Sequence, residues 1–263
     1  MQALYQRRTA VLGALALAVI VGWVAHVEAS PAVNQAVINS RVFNDDPTSN
    51  FSFTNAYPTS ISLKDESLDA DGGSGFANRH NWRASADGGF TQAVFNNGDG
   101  FTLAADVTVT GSANIEAGLQ VSPWWSQQVD GLLGVLPNGE IAAFGGRLPF
   151  YSFNSHVPPV NYVKGETVRL EISYRPLALT EVEPGVIQYA VTKGGTEYKS
   201  PWIKFSEGNP SEPYGLWGIL DDARIGGYTQ MQINSSDPTN WGEAVFGNIY
   251  YVPEPAGLLL LGM

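Results

Sequence analysis

The chain has 263 residues, no cysteine, 29 glycines, 16 prolines and a formal charge of −11. That length suits one large β domain, and the lack of thiols excludes disulfides, cysteine nucleophiles and cysteine–metal chemistry. The acidic balance argues against a nucleic-acid partner, whose phosphates need Lys and Arg, and is compatible with neutral polysaccharide or with divalent cations held by carboxylates.

Residues 1–29 have the organisation of a secretory signal. Arg7 and Arg8 give a basic start, Val11–Val24 is an apolar run, and Val27-Glu28-Ala29 is a small-x-small site that puts cleavage after Ala29. The apolar run is shorter than the ~20 residues that span a bilayer, so contact with the membrane is expected only in transit. Removal of Arg7, Arg8 and Glu28 leaves the mature chain slightly more acidic.

Residues 30–251 read as one β domain. Short β-like pieces come first, at Val37–Phe43, Phe51–Phe53 and Ser60–Leu63. Asp65–Gly75 is the most acidic, glycine-rich loop. Asp69 and Asp71, followed by Gly72, begin like a calcium loop and are the candidate cation ligands. Gly73 and His80 stand where further oxygen ligands belong, so a solvated turn competes with a calcium site. Phe76–Arg83 carries no strand assignment. Asp87-Gly88-Gly89 reads as a turn, Phe90–Phe95 as a strand and Asn96–Gly100 as another turn. His80 and His156 lie far apart without metal-ligand spacing, and both read as structural histidines.

The stretch Phe101–Phe150 has the clearest pattern. Phe101, Leu103, Ala105, Val107 and Val109 alternate with Thr102, Asp106, Thr108 and Thr110, and Ile115, Ala117, Leu119 and Val121 resume the alternation. A period of two marks half-buried strands. The short Gly111–Asn114 break predicts that these two strands form a hairpin. Asn138-Gly139, between Leu133–Val135 and Ile141–Phe144, predicts a second hairpin with a type I′ turn. Tyr151–Tyr162 reads as a loop. Val168–Tyr174 alternates cleanly, and Lys193-Gly194-Gly195-Thr196 joins Val186–Thr192 to Glu197–Lys199 in a further hairpin. Trp202–Phe205, Tyr214–Leu220, Ile225–Ile233 and Ala244–Tyr251 supply the remaining strands.

Ten or more such strands, with turn signals between them and no long helix, predict an all-β, two-sheet antiparallel sandwich of the jelly-roll kind. The runs FTLAADVTVTG, EAGLQVSPWW, VRLEISY and FGNIYY, in that order, resemble the concanavalin A-like, or laminin-G-like, superfamily. The resemblance covers about Asn78 to Tyr251. It implies a carbohydrate-binding or polysaccharide-processing ancestry, though fold does not fix function.

Glycosidases of this fold resemble one another in paired acidic residues two or three apart on one strand, which serve as nucleophile and acid. No such strand is found here. Glu181 and Glu183 sit in a proline-bounded loop, Asp221 and Asp222 are adjacent, and Glu116 with Glu171 is the best remaining cross-strand pair. The binding candidates are Trp124 and Trp125 at the end of a strand, with Gln127, Asp130, Arg147 and Tyr151 as hydrogen-bonding neighbours. Exposed aromatics can anchor a ligand, and adjacent strand residues face opposite ways, so at most one of this pair is fully buried. Trp82, Trp202, Trp217 and Trp241 read as packing residues.

Residues 252–263 contain Pro253-Glu254-Pro255 followed by an apolar tail. This resembles the PEP-CTERM sorting signal of exported bacterial proteins, which implies processing by an exosortase-type enzyme. The tail is short and lacks the closing basic cluster, as if truncated. The sequence therefore predicts an exported surface or matrix protein, non-catalytic, that binds exopolysaccharide or another glycan. A polysaccharide hydrolase or lyase, and a calcium-stabilised adhesion module with a protein partner, are the alternatives.

Overall fold

A computed structural model of the protein describes residues 30–44, 46, 48–66, 76–123, 131–145, 148–205, 217–233 and 239–254. The early strands are β1 (Gln35–Asn44), β2 (Asn50–Ala56), β3 (Ser60–Glu66) and β4 (Phe76–Ser85). The central ones are β5 (Phe101–Gly111), β6 (Asn114–Pro123), β7 (Gly131–Val135), β8 (Ile141–Gly145) and β9 (Leu148–Ser152). The late ones are β10 (Thr167–Arg175), β11 (Val186–Lys193), β12 (Thr196–Lys199), β13 (Ile203–Lys204), β14 (Ala223–Ile233) and β15 (Trp241–Pro253). The first sheet has the order β1-β4-β14-β6-β7-β8-β9; the second has β12-β11-β10-β5-β15-β3-β2, with β13 beside β11. Every pairing is antiparallel.

Alternation places one face of each central strand in the space between the sheets. On β5, Phe101, Leu103, Ala105, Val107 and Val109 are buried, and on β10 Val168, Leu170, Ile172 and Tyr174 are. Leu119, Val121, Ile225 and Trp82 meet them from the first sheet, with the Trp82 ring edge-on to Phe246 at 5.8 Å. Each large apolar side chain buried this way contributes roughly 1.5–3 kcal/mol.

Several expectations need correction. β5 and β6 are not a hairpin: β5 lies between β10 and β15 in the second sheet, whereas β6 lies between β14 and β7 in the first. Period-two alternation fixes which face of a strand is buried, not which strand it pairs with. The chain turns at Gly111, whose φ is +106° and where a Cβ would fall 2.3 Å from the carbonyl oxygen of Trp241, so only glycine fits this corner. The β7–β8 hairpin is present with Val135 opposite Ile141, but its turn is not type I′. The amide of Gly139 donates to the Leu136 carbonyl, and only Gly139 has a positive φ. Pro137, with φ held negative by its ring, takes the first central position instead. The β11–β12 hairpin does have two positive-φ glycines, Gly194 and Gly195.

Phe90–Phe95 is a loop that makes a single bridge, from Phe95 to Ala223, and residues 217–220 are not a strand. Conversely, Phe76–Ser85 is an interior strand of the first sheet, and β9 extends into the stretch read as a loop. Glu116 and Glu171 cannot form a pair, because β6 and β10 belong to different sheets.

At one end of the sandwich the inward positions are polar. Asp65 on β3 is fully buried and accepts from Asn78 Nδ2 at 2.8 Å and His80 Nε2 at 3.0 Å, both on β4 of the opposite sheet. The amide of Arg41 donates to His80 Nδ1 at 3.0 Å, which leaves the ring proton on Nε2, facing Asp65. Phe51 stacks on the imidazole at 3.8 Å. Asn78 also ties down the loop between β1 and β2, accepting from the Asp46 amide at 3.0 Å and donating to Ser49 Oγ at 2.8 Å. Burial pushes the Asp65 carboxyl up, but hydrogen bonds from His80, Asn78 and Ser49 outweigh it and hold its pKa below the usual value. A depressed carboxyl adds stability that is fully present above its unfolded pKa, ~3.9, and is lost as pH falls through the folded value. Asp65→Ala should therefore cost about 3 kcal/mol in urea denaturation at neutral pH, and its deficit relative to wild type should shrink once the pH drops below ~3.9.

Candidate functional site

Three adjacent strands of the first sheet, β4, β14 and β6, carry polar residues on the face turned away from the core. On β4, Trp82 and Ala84 are buried inward, so Arg79, Asn81 and Arg83 face out. The same alternation puts Glu116, Gln120 and Ser122 outward on β6, and Arg224, Tyr228 and Gln230 outward on β14. Register gathers them. Gly226 stands between Arg83 and Gln120, Tyr228 between Asn81 and Gly118, and Gln230 between Arg79 and Glu116. Glycine makes the space for the tyrosine: a Cβ on Gly134 would fall 2.5 Å from the Tyr228 hydroxyl.

The side chains interlock. Arg79 donates to Gln230 Oε1 at 3.2 Å and to Gln120 Oε1, with its guanidinium 4.3 Å above the Tyr228 ring. Tyr228 donates its hydroxyl proton to Glu116 Oε1. Arg83 donates to Ser122 Oγ at 2.8 Å and to the carbonyl oxygen of Arg224 at 3.2 Å. Although they lie on the outer face, Arg83, Gln120, Ser122 and Tyr228 are all buried.

Two features of this face are unbalanced. The first is charge. Arg83 is 5% exposed, its hydrogen-bond partners are neutral, and among the described residues no carboxylate pairs with it. Burial, then the charges of Arg79 and Arg224, push its pKa down to about 9. Arginine stays protonated in proteins, so the shift measures how poorly this charge is compensated. The second is hydrogen bonding. Asn81 Oδ1 and Gln120 Nε2 are buried without a partner among the described residues, and each such orphan costs roughly 1–3 kcal/mol. An acceptor, a donor and an uncompensated guanidinium on one sheet face form a surface suited to a polar, anionic group, which the guanidinium fork can grip with two parallel bonds.

Among the described residues no histidine lies on this face. His80 points inward and is committed to Asp65 and Arg41, and His156 lies beyond β9, near Tyr151. Burial, then the Glu116 carboxylate, raises the Tyr228 hydroxyl well above its ordinary value. Tyr228 is therefore a neutral donor to Glu116.

The arginine face was not among the sites expected from sequence. Trp124, Trp125, Gln127, Asp130 and Arg147 lie outside the described residues, as do Asp69, Asp71, Ala29 and Pro255. The two tryptophans follow β6, the strand that carries Gln120 and Ser122. Tyr151 pairs opposite Ala143 and so faces the core side of the sheet, edge-on to Phe153 at 5.2 Å. Trp82 is buried as expected, whereas Trp202 and Trp241 are half-buried beneath Arg175 and Lys64. Pro253 ends β15, and Glu254 just beyond it accepts from Thr102 Oγ1 at 3.2 Å. Its amide donates to the Gly100 carbonyl at 2.9 Å, and Ser30 Oγ donates to the same carbonyl at 3.0 Å.

Among solved structures, the alginate lyase from Klebsiella pneumoniae superposes with a TM-score of 0.54 at 10% identity, over 85% of this chain and 96% of that one. That likeness fits a two-sheet antiparallel β-sandwich of the jelly-roll kind. Looser likenesses to the jelly roll are alginate lyase AlgAT5 of polysaccharide lyase family 7 (TM-score 0.45, 12% identity, 84% of this chain and 94% of that one) and carbohydrate-binding module CBM66 from Bacillus subtilis (0.42, 10%, 84% and 98%). No family model and no curated protein matches the sequence. At these identities the likeness speaks for the fold alone.

Tyr228→Phe should leave the Glu116 carboxylate without its donor inside the jelly roll's polar face. We expect a loss of about 1–3 kcal/mol in urea denaturation with the β-sheet circular dichroism unchanged. An undiminished midpoint would show that the Tyr228–Glu116 bond carries no net stability.

Proposed function

We propose that this protein is a non-catalytic glycan-binding domain, and that it takes acidic polysaccharide on the outer face of the first sheet. The observation that carries this reading is Arg83, a buried guanidinium whose partners among the described residues are neutral, flanked by two further arginines on a chain whose net charge is −11. A carboxylate or sulfate on a sugar ring supplies the missing countercharge, and ring hydroxyls can satisfy Asn81 Oδ1 and Gln120 Nε2. The neighbour named as an alginate lyase supports a polysaccharide ligand. We further take the protein to be exported, with residues 1–29 removed and Pro253-Glu254-Pro255 read by an exosortase-type enzyme. The mature chain should then begin at Ser30, which intact-mass measurement of exported material checks directly.

Tyr228 beside Arg79 and Gln120 favours one second reading, polysaccharide cleavage by elimination. In that case the arginines would neutralise a carboxylate while a proton is withdrawn beside it. The state of Tyr228 weighs against this, since its hydroxyl is occupied by Glu116 and its proton is held tightly.

Calorimetric titration with a polyuronate and with a neutral glucan tests the proposal. The polyuronate should bind, more weakly as salt is raised, and Arg83→Gln should lower its affinity at least tenfold with the circular dichroism unchanged. Equal binding of the neutral glucan would remove the acidic specificity. Unsaturated uronate ends released from the polyuronate would establish the second reading instead.

A further inference from the structure

The loop between β4 and β5 builds a feature beside the arginine face, which it shares only through Arg224. Asp87 organises it, accepting from the amides of Phe90 at 3.0 Å and Thr91 at 2.9 Å and from the hydroxyls of Ser85 at 2.7 Å and Thr91 at 2.6 Å. The hydrogen bonds from Thr91 and Ser85 hold the Asp87 carboxyl well below the usual range. Further along, Gln92 Nε2 donates to Asn39 Oδ1 on β1 at 3.1 Å, and the amides of Ala93 and Phe95 bond to Ala84 and Ala223. The loop is thus fastened at both ends to the first sheet, yet it holds Phe90 86% exposed. Val94 on the same loop is also exposed, so the ring is part of a small apolar surface and does not stand alone.

A cleft of about 540 Å³ opens beside that ring, lined by Val37 and Asn39 of β1, the loop residues Phe90, Gln92 and Val94, and Arg224 of β14. Its size lies in the range of small-ligand sites. Arg224 is held from one side: its Nη1 donates to the carbonyl oxygen and to the Oδ1 of Asp222, both at 2.7 Å. Its Nε is buried and without a partner among the described residues. That is half of the Nε–Nη2 edge through which a guanidinium grips a carboxylate with two parallel bonds.

The geometry points to a saccharide subsite in this cleft, in which one acidic pyranose lies against the Phe90 ring and its carboxylate takes the Nε edge of Arg224. An aromatic face suits the C–H side of a sugar ring. Asn39 and Gln92 supply hydrogen-bonding groups at the rim, and Arg224 selects for the acid. This inference rests on the glycan-binding reading, and it adds a second contact point on the same sheet, toward the β1 edge, with a chemistry of its own.

Titrating the whole protein with a tetrasaccharide of hexuronate units and with its carboxyl-reduced counterpart tests it. Phe90→Ala, at an exposed position, should weaken the acidic tetrasaccharide about tenfold, and Phe90→Tyr should restore it. Arg224→Gln should weaken the acidic tetrasaccharide and leave the carboxyl-reduced one as weak as in wild type. Should Arg224→Gln fail to fold, the Phe90 pair decides, together with backbone NMR shifts at residues 90–94 on adding the acidic tetrasaccharide. If Phe90→Ala binds like wild type while Arg83→Gln does not, the subsite is overturned and the glycan-binding reading stands. If the wild-type protein binds neither oligosaccharide nor polyuronate, both are overturned.

Discussion

A carboxylate shut away from solvent joins the two sheets at Asp65, and much of the molecule is arranged to keep it charged. Asn78 and His80 reach it from across the sandwich, and the Arg41 amide fixes which imidazole nitrogen faces it. An ionised group in a dry interior is tolerated only when its lone pairs are satisfied, and here the donors come from the opposite layer. The bond set therefore specifies how β3 and β4 sit relative to one another, which apolar packing alone does less strictly. It also governs the outer face. Arg79 and Arg83 lie on the same strand as Asn78 and His80, one residue out of phase, so locking the inner face of β4 locks the direction of the arginines on its outer face.

This double duty explains what was legible from sequence and what was not. β5 and β10 could be read at once because one face is apolar and the other wet. The β11–β12 hairpin could be read because its two glycines occupy positive-φ positions. β4 could not, since its inward positions include Asn78 and His80 and its outward ones Arg79, Asn81 and Arg83, which leaves no contrast between faces. The residues that hide the strand are those that clamp the sheets and form the candidate site, and local rules are expected to break at such places. The β5–β6 crossover shows a different limit. Both strands were recognised, but alternation carries no information about partners, and the corner depends on the approach of Trp241, distant in sequence, to Gly111.

The aromatic pair at the end of β6, the sequence's candidate sugar contact, lies outside the described residues. Glu116 and Glu171, the best carboxylate pair by sequence, fall on different sheets. A usable signal was present in Arg79, Asn81 and Arg83: two of the chain's few basic residues with an amide between them, at the spacing that puts all three on one face of a strand. It becomes meaningful only once the segment is known to be a strand, and Gln120, Arg224 and Tyr228 join it only through register.

The shared carbonyl of Gly100, bonded by Ser30 and by Glu254, has a mechanical corollary. Both ends of the described domain thus lie side by side, so a partner joined at either end would leave the jelly roll from the same place.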